Sequence, residues 1–231
     1  MDALREWLAE NCVGCTAPLF EAAGLVVNTF EYRRRKTLKR HPDFDRLMIE
    51  KVERGLRQPS WQGFVYVMHW NCGRVCPLYV GKTERCGRKQ VVSGNIENIR
   101  LNYRCFGRWG YSRYYHIGDL SHAMFGGQDE RKFDSKYRRW ADRLFISDEP
   151  PRLRQEVSVA LFDWFEGKRG PLRMPLSVRD AEKEIIKLAK NLLRLGYLWV
   201  TRAGFMAGIA DHPREFVPPF PAPQAGAPCV E

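Results

Sequence analysis

Two apolar runs near the middle of the chain carry the clearest pattern. Gly63-Phe64-Val65-Tyr66-Val67-Met68 and Pro77-Leu78-Tyr79-Val80-Gly81-Lys82-Thr83 each hold a β-branched stretch bounded by turn formers, which predicts two short strands. Tyr66 and Tyr79 lie thirteen residues apart, so neighbouring strands could aim two phenols at one point. An ordinary hairpin whose tyrosines fill half-buried positions accounts for the same pattern.

Before these strands the periodicity is helical. Ala3-Leu4 with Trp7-Leu8 and Phe44-Leu47-Met48 fall at helical spacing, and residues 17–27 are mostly apolar, so residues 1–60 read as a helical, basic N-terminal extension. After the strands come a helical candidate at 95–104, an aromatic strand at 113–117, a polar helix near 134–144 and a strand at 156–164. A last helix is signalled by Ser177 as N-cap with Asp180 three residues on. Val178, Ala181, Ile185, Leu188, Leu192 and Leu195 then form one apolar stripe. Glu182 stands at the edge of that stripe, where a carboxylate is costly unless it holds a cation. A rim ion pair with Lys183 or Arg179 serves equally as its explanation. Residues 203–231, which include Pro218-Pro219-Phe220-Pro221-Ala222-Pro223, are too rich in proline and alanine to pack and are expected to be disordered.

Composition narrows the class. A chain of 231 residues with 44% apolar and 13% aromatic content suits a globular protein. No apolar run approaches the roughly 20 residues of a membrane span, and the N-terminus lacks the order of a secretory signal, so a cytoplasmic protein without membrane contact is expected. The net charge of +11 favours a polyanionic partner, nucleic acid before membrane. Six of the eight residues from 33 to 40 are basic: Arg33, Arg34, Arg35, Lys36, Lys39 and Arg40. Such a run is either a solvated helix face or a patch that contacts phosphates. Seven cysteines, an odd number, argue against a disulfide framework. Cys12-Val13-Gly14-Cys15 has the spacing of a zinc knuckle and could meet Cys72 and Cys76, but free thiols are the simpler expectation.

Taken in order, the strand with Tyr66, the run Tyr79-Val80-Gly81-Lys82-Thr83, a basic region and a late helix with Glu182-Lys183-Glu184-Ile185-Ile186 resemble the GIY-YIG nuclease superfamily. The likeness covers residues 61–202 and looks like a divergent bacterial branch; phenylalanine and valine stand where glycine and isoleucine are usual in the first motif. It implies an α+β fold with a small antiparallel three-stranded sheet flanked by helices. It further implies an endonuclease that hydrolyses DNA phosphodiesters with one divalent metal, Mg²⁺ or Mn²⁺. By position, Tyr66 or Tyr79 would help deprotonate the attacking water, Glu182 would hold the metal, and Lys82 would add charge beside Gly81, which would admit close backbone approach. The catalytic arginine falls on Arg88 by position or Arg104 by setting, and His116 could replace a histidine that some members carry. Asn191 is the one asparagine after Glu182 and shares its helix, so it matches the family's late asparagine poorly. A nucleic-acid-binding protein that kept the scaffold and lost turnover is the alternative, and DNA is expected before RNA.

Overall fold

Both tyrosine runs extend further than their apolar triplets suggest. The computed structural model of the chain describes residues 3–32, 34–71, 75–87, 91–101, 116–126 and 135–193. In chain order the elements are α1 (Ala3–Asn11), β1 (Thr16–Pro18), β2 (Ala22–Ala23), β3 (Val26–Val27), β4 (Thr29–Tyr32), β5 (Arg35–Leu38) and α2 (Pro42–Leu56). They continue with β6 (Trp61–Asn71), β7 (Val75–Glu84), α3 (His116–Phe125), α4 (Ser135–Leu144), β8 (Phe145–Asp148), β9 (Pro151–Leu153), β10 (Val157–Phe165) and α5 (Val178–Leu193).

β6 and β7 are antiparallel neighbours, with Tyr66 opposite Gly81 and Met68 opposite Tyr79. Pro77 has no N–H to give, and the ladder slips by one residue between Met68 and His69, leaving Leu78 as the extra residue. Tyr66 and Tyr79 are thus diagonal neighbours on one face of the hairpin. β10 pairs with the other edge of β6, and β1 pairs with β10, giving a four-stranded sheet in the order β1-β10-β6-β7.

Both faces of this sheet are covered, which is why the middle of β6, Phe64 to Met68, and most of β10 are apolar without alternation. Phe64, Tyr66 and Leu161 face a core shared with Met48 of α2, Leu120 of α3 and Trp140 of α4. Val65, Val67 and Phe162 face the opposite way, against Trp7 of α1 and Ala181 and Ile185 of α5. Trp7 and Phe162 stack with ring centroids 4.6 Å apart. α2 starts cleanly: the His41 Nδ1 accepts the Asp43 N–H at 3.1 Å, and Pro42 occupies the first turn where no N–H is needed. α5 starts as anticipated, with the Ser177 Oγ accepting the Asp180 N–H at 3.2 Å.

The expected fold class needs correction. Among the described residues there are ten strands in three antiparallel groups, not a small three-stranded sheet: β1-β10-β6-β7, β2-β3-β9-β8 and the hairpin β4-β5, with five helices. Much of the difference lies in the first sixty residues. Only α1 and α2 of the anticipated helical extension exist there; the apolar stretch at 17–27 is cut by Gly24, at φ +58°, into the tight β2–β3 turn, and β1 joins the main sheet. Segments of two to four residues are too short to display a period of two, so their strand character comes from the partners they find.

Two other local expectations also change. Residues 94–100 form successive turns instead of a helix, buried at Ile96 and Ile99, while 102–104 lie outside the described residues. His116 opens helix α3 and is not centred in a strand. The tail at 203–231 also lies outside the described residues. No helix of the described residues is long and apolar enough to cross a membrane.

Candidate active site

The Tyr66 ring lies over Gly81. A Cβ on that glycine would fall 2.4 Å from both Cζ and Oη of Tyr66, so the absence of a side chain creates the space that the phenol fills. The group that occupies the side-chain space of Gly81 is thus the Tyr66 ring. The Tyr66 and Tyr79 ring centroids are 5.8 Å apart, and the two hydroxyls interact by a hydrogen bond. Trp140 of α4 covers Tyr79 edge-on at 4.9 Å and meets Tyr137 at 5.9 Å. Only 5% of Tyr66 and 4% of Tyr79 is exposed.

Burial governs the chemistry of both phenols. It raises Tyr66 well above the ordinary phenol value, with the neighbouring Tyr79 and then the Glu182 carboxylate adding to the effect. Burial also raises Tyr79; the hydrogen bond with Tyr66 opposes this and Glu182 reinforces it. Both are neutral phenols across the physiological range. That state suits donating and accepting hydrogen bonds, and disfavours a phenolate acting as base.

α5 packs its apolar stripe on the face of the sheet opposite the phenols, yet Glu182 influences both of them. β7 is an edge strand, and α5 runs against β7 and β6. Glu182, one residue past the buried Ala181, is half-buried at that border. The two cations considered for a rim pair are engaged elsewhere: Lys183 meets Asp180 at 2.8 Å and Arg179 meets Glu84 at 3.4 Å. Glu184 has a structural job, since its Oε1 accepts the Leu172 N–H at 3.0 Å and packs where a Cβ on Gly170 would stand.

A divalent cation fits this arrangement in one respect. Mg²⁺ is commonly held by one or two carboxylates together with substrate phosphates, and Glu182 is a half-buried carboxylate. Among the described residues no three of His, Cys, Asp and Glu converge elsewhere as a ready-made cage.

The remaining candidates scatter. Arg33, Arg88 and Arg104 lie outside the described residues, and His116 and Asn191 are placed in α3 and α5 by backbone alone. Lys82 pairs with Glu84 at 2.9 Å. The basic run builds the β4–β5 hairpin and the link from it to α2, not a helix face. Arg34 sits at the hairpin turn with φ +61°, and Arg34 and Arg35 are exposed. Lys36 meets Glu149 at 2.6 Å and Lys39 meets Glu21 at 2.8 Å. Arg40 is buried and paired with Asp45 at 2.8 Å, a structural placement. Cys12, Cys15 and Cys76 do not converge as a zinc site, and Cys72 lies outside the described residues.

Sequence reasoning missed the cover that α4 lays over the phenols through Tyr137 and Trp140. The polar helix was legible, but Trp140 is spaced from no motif, and only its packing reveals its place. No protein-family model, curated protein or solved structure matches this chain.

Proposed function

We propose that the chain is a divalent-metal-dependent endonuclease of the GIY-YIG kind, acting on DNA phosphodiesters. The observation that carries this reading is the hydrogen-bonded pair Tyr66–Tyr79 with the Glu182 carboxylate close enough to perturb both, at the border of an edge strand. A cation held by Glu182, Mg²⁺ or Mn²⁺, would supply Lewis-acid stabilisation of the charge that develops on the phosphate.

The protein's own residues then have distinct tasks. With one proton shared between the two hydroxyls, the other stays available as a donor for a water or a phosphate oxygen. As neutral phenols the two orient the attacking water, whose proton passes to the solvent. Trp140 and Tyr137 fix the Tyr79 ring and exclude bulk solvent from that side. Exposed Arg34 and Arg35 offer duplex phosphates a contact remote from the chemistry.

The test is cleavage of supercoiled plasmid in Mg²⁺ or Mn²⁺ by wild type, Glu182→Gln and Glu184→Gln. The expected result is cleavage by wild type and by Glu184→Gln, which keeps an acceptor for Leu172, and loss of cleavage with retained DNA binding in Glu182→Gln. Wild type that binds DNA but never cuts it, or Glu182→Gln that cuts at the wild-type rate, overturns the assignment.

A further inference from the structure

The end of α1 brings two thiols together in a setting that the nuclease reading does not use. Cys12 still donates its N–H to Leu8 O at 2.8 Å, as a residue closing a helix does. The chain then turns through Val13 and Gly14, with Gly14 at φ +69°, and the Cys15 N–H returns to Cys12 O at 3.2 Å. A turn closed by that bond holds its first and last Cα atoms within about 7 Å, which overlaps the span a disulfide requires. Further bonds pin the turn: the Cys15 Sγ reaches Asn11 O at 2.8 Å and the Thr16 Oγ1 reaches Cys12 O at 3.2 Å. The two side chains are also hydrogen-bonded to each other.

The surroundings are asymmetric. Cys15 is buried against the sheet, whereas Cys12 is partly exposed, next to Val13 at 86% exposure. Beneath Cys15 lie two ammonium groups: Lys51, on Asp163 Oδ2 at 2.8 Å, and Lys168, whose Nζ donates to Asp163 O at 2.6 Å. The hydrogen bond from Cys12 lowers the Cys15 thiol, desolvation opposes this, and the charge of Lys51 assists. These cations offset the unfavourable position of a thiolate at a helix C-terminus.

We infer that Cys12 and Cys15 form a redox-active dithiol that closes reversibly to an intramolecular disulfide by exchange with a low-molecular-weight disulfide. Cys15 ionises first, its proton passing to the solvent, and then takes the proton of Cys12, the accessible thiol, which attacks one sulfur of the small disulfide; the S–S bond breaks and one thiolate leaves, taking up the solvent's proton. Cys15 then loses its proton and attacks the Cys12 sulfur, displacing the second thiolate and forming the internal bond. Two electrons and two protons pass from the pair to the small molecule, giving one protein disulfide and two small thiols. The proposal stands independently of the nuclease reading, since it uses none of the residues to which that reading gives a role.

The experiment is equilibration of the full chain in glutathione buffers of increasing disulfide fraction, followed by acid quenching, alkylation of free thiols and peptide mass spectrometry. The peptide spanning residues 12 and 15 should become two hydrogens lighter and lose both alkylation sites, and a reductant should restore them. Cys15→Ser should accumulate Cys12 joined to glutathione, while Cys12→Ser should leave Cys15 unmodified by glutathione. Both thiols remaining alkylatable in the most oxidising buffer overturns the inference. So does pairing of either with Cys76 or Cys86, or stoichiometric zinc in chelator-free protein whose removal alone exposes the pair.

Discussion

Gly81→Ala tests the relation between the two tyrosine strands at its tightest point. The new Cβ would lie 2.4 Å from Cζ and Oη and 2.9 Å from Cε1 of Tyr66, against 3.4–4 Å for ordinary contact, so the ring must retreat by about 1 Å. It has little room, being buried with Tyr79 and Phe64 at centroid distances of 5.8 and 6.5 Å. Overpacking of this kind costs about 1–3 kcal/mol, and a rigid ring in a filled core places it near 2. The backbone itself is not the obstacle, because Gly81 is not at positive φ and alanine would restrict the unfolded chain, a gain of about 0.4–1 kcal/mol. In a Tyr66→Val background, which puts another strand former at that position and removes the ring, the same substitution should become neutral or stabilising by that amount. The expected coupling is therefore about 2–3 kcal/mol, read from urea midpoints of wild type, both single variants and the double. If Gly81→Ala costs the same within about 0.5 kcal/mol in both backgrounds, the ring does not occupy that space and the placement of Tyr66 is wrong.

Buried polar groups give two further expected outcomes. Asp163→Ala should destabilise by about 3 kcal/mol or more in chemical denaturation, because Lys51, with 10% of its side chain exposed, loses its carboxylate; a paired Lys51→Met with Asp163→Leu should recover much of that loss. Raised phenols make the fold sensitive to alkali: the unfolded Tyr66 ionises near pH 10 while the folded one keeps its proton, so its contribution is complete below about pH 10 and lost as pH rises towards the folded value. Between pH 10 and 11 wild-type stability should therefore fall about 1 kcal/mol more than that of Tyr66→Phe, and equal slopes would contradict a buried, protonated phenol.

Elements with a pattern long enough to be self-evident were legible from the chain alone. The runs around Tyr66 and Tyr79, the closing helix with its Ser177 cap, and the strand at 157–165 are each written in local patterning and capping chemistry, and the two runs bring Tyr66 and Tyr79 together. Other features exist only through contacts between distant segments. The two-residue strands β2 and β3 have no period to read and form through Gly24 and the partner β9. The basic run reads as one block of charge, but folding divides it between an exposed turn at Arg34 and a buried ion pair at Arg40. The side-chain space of Gly81 is filled by the Tyr66 ring only because the register sets the two opposite each other. Local sequence encodes what neighbouring residues along the chain can do with each other; which groups meet across the sheet, and which charge loses its water, depends on distant segments arriving at the same place.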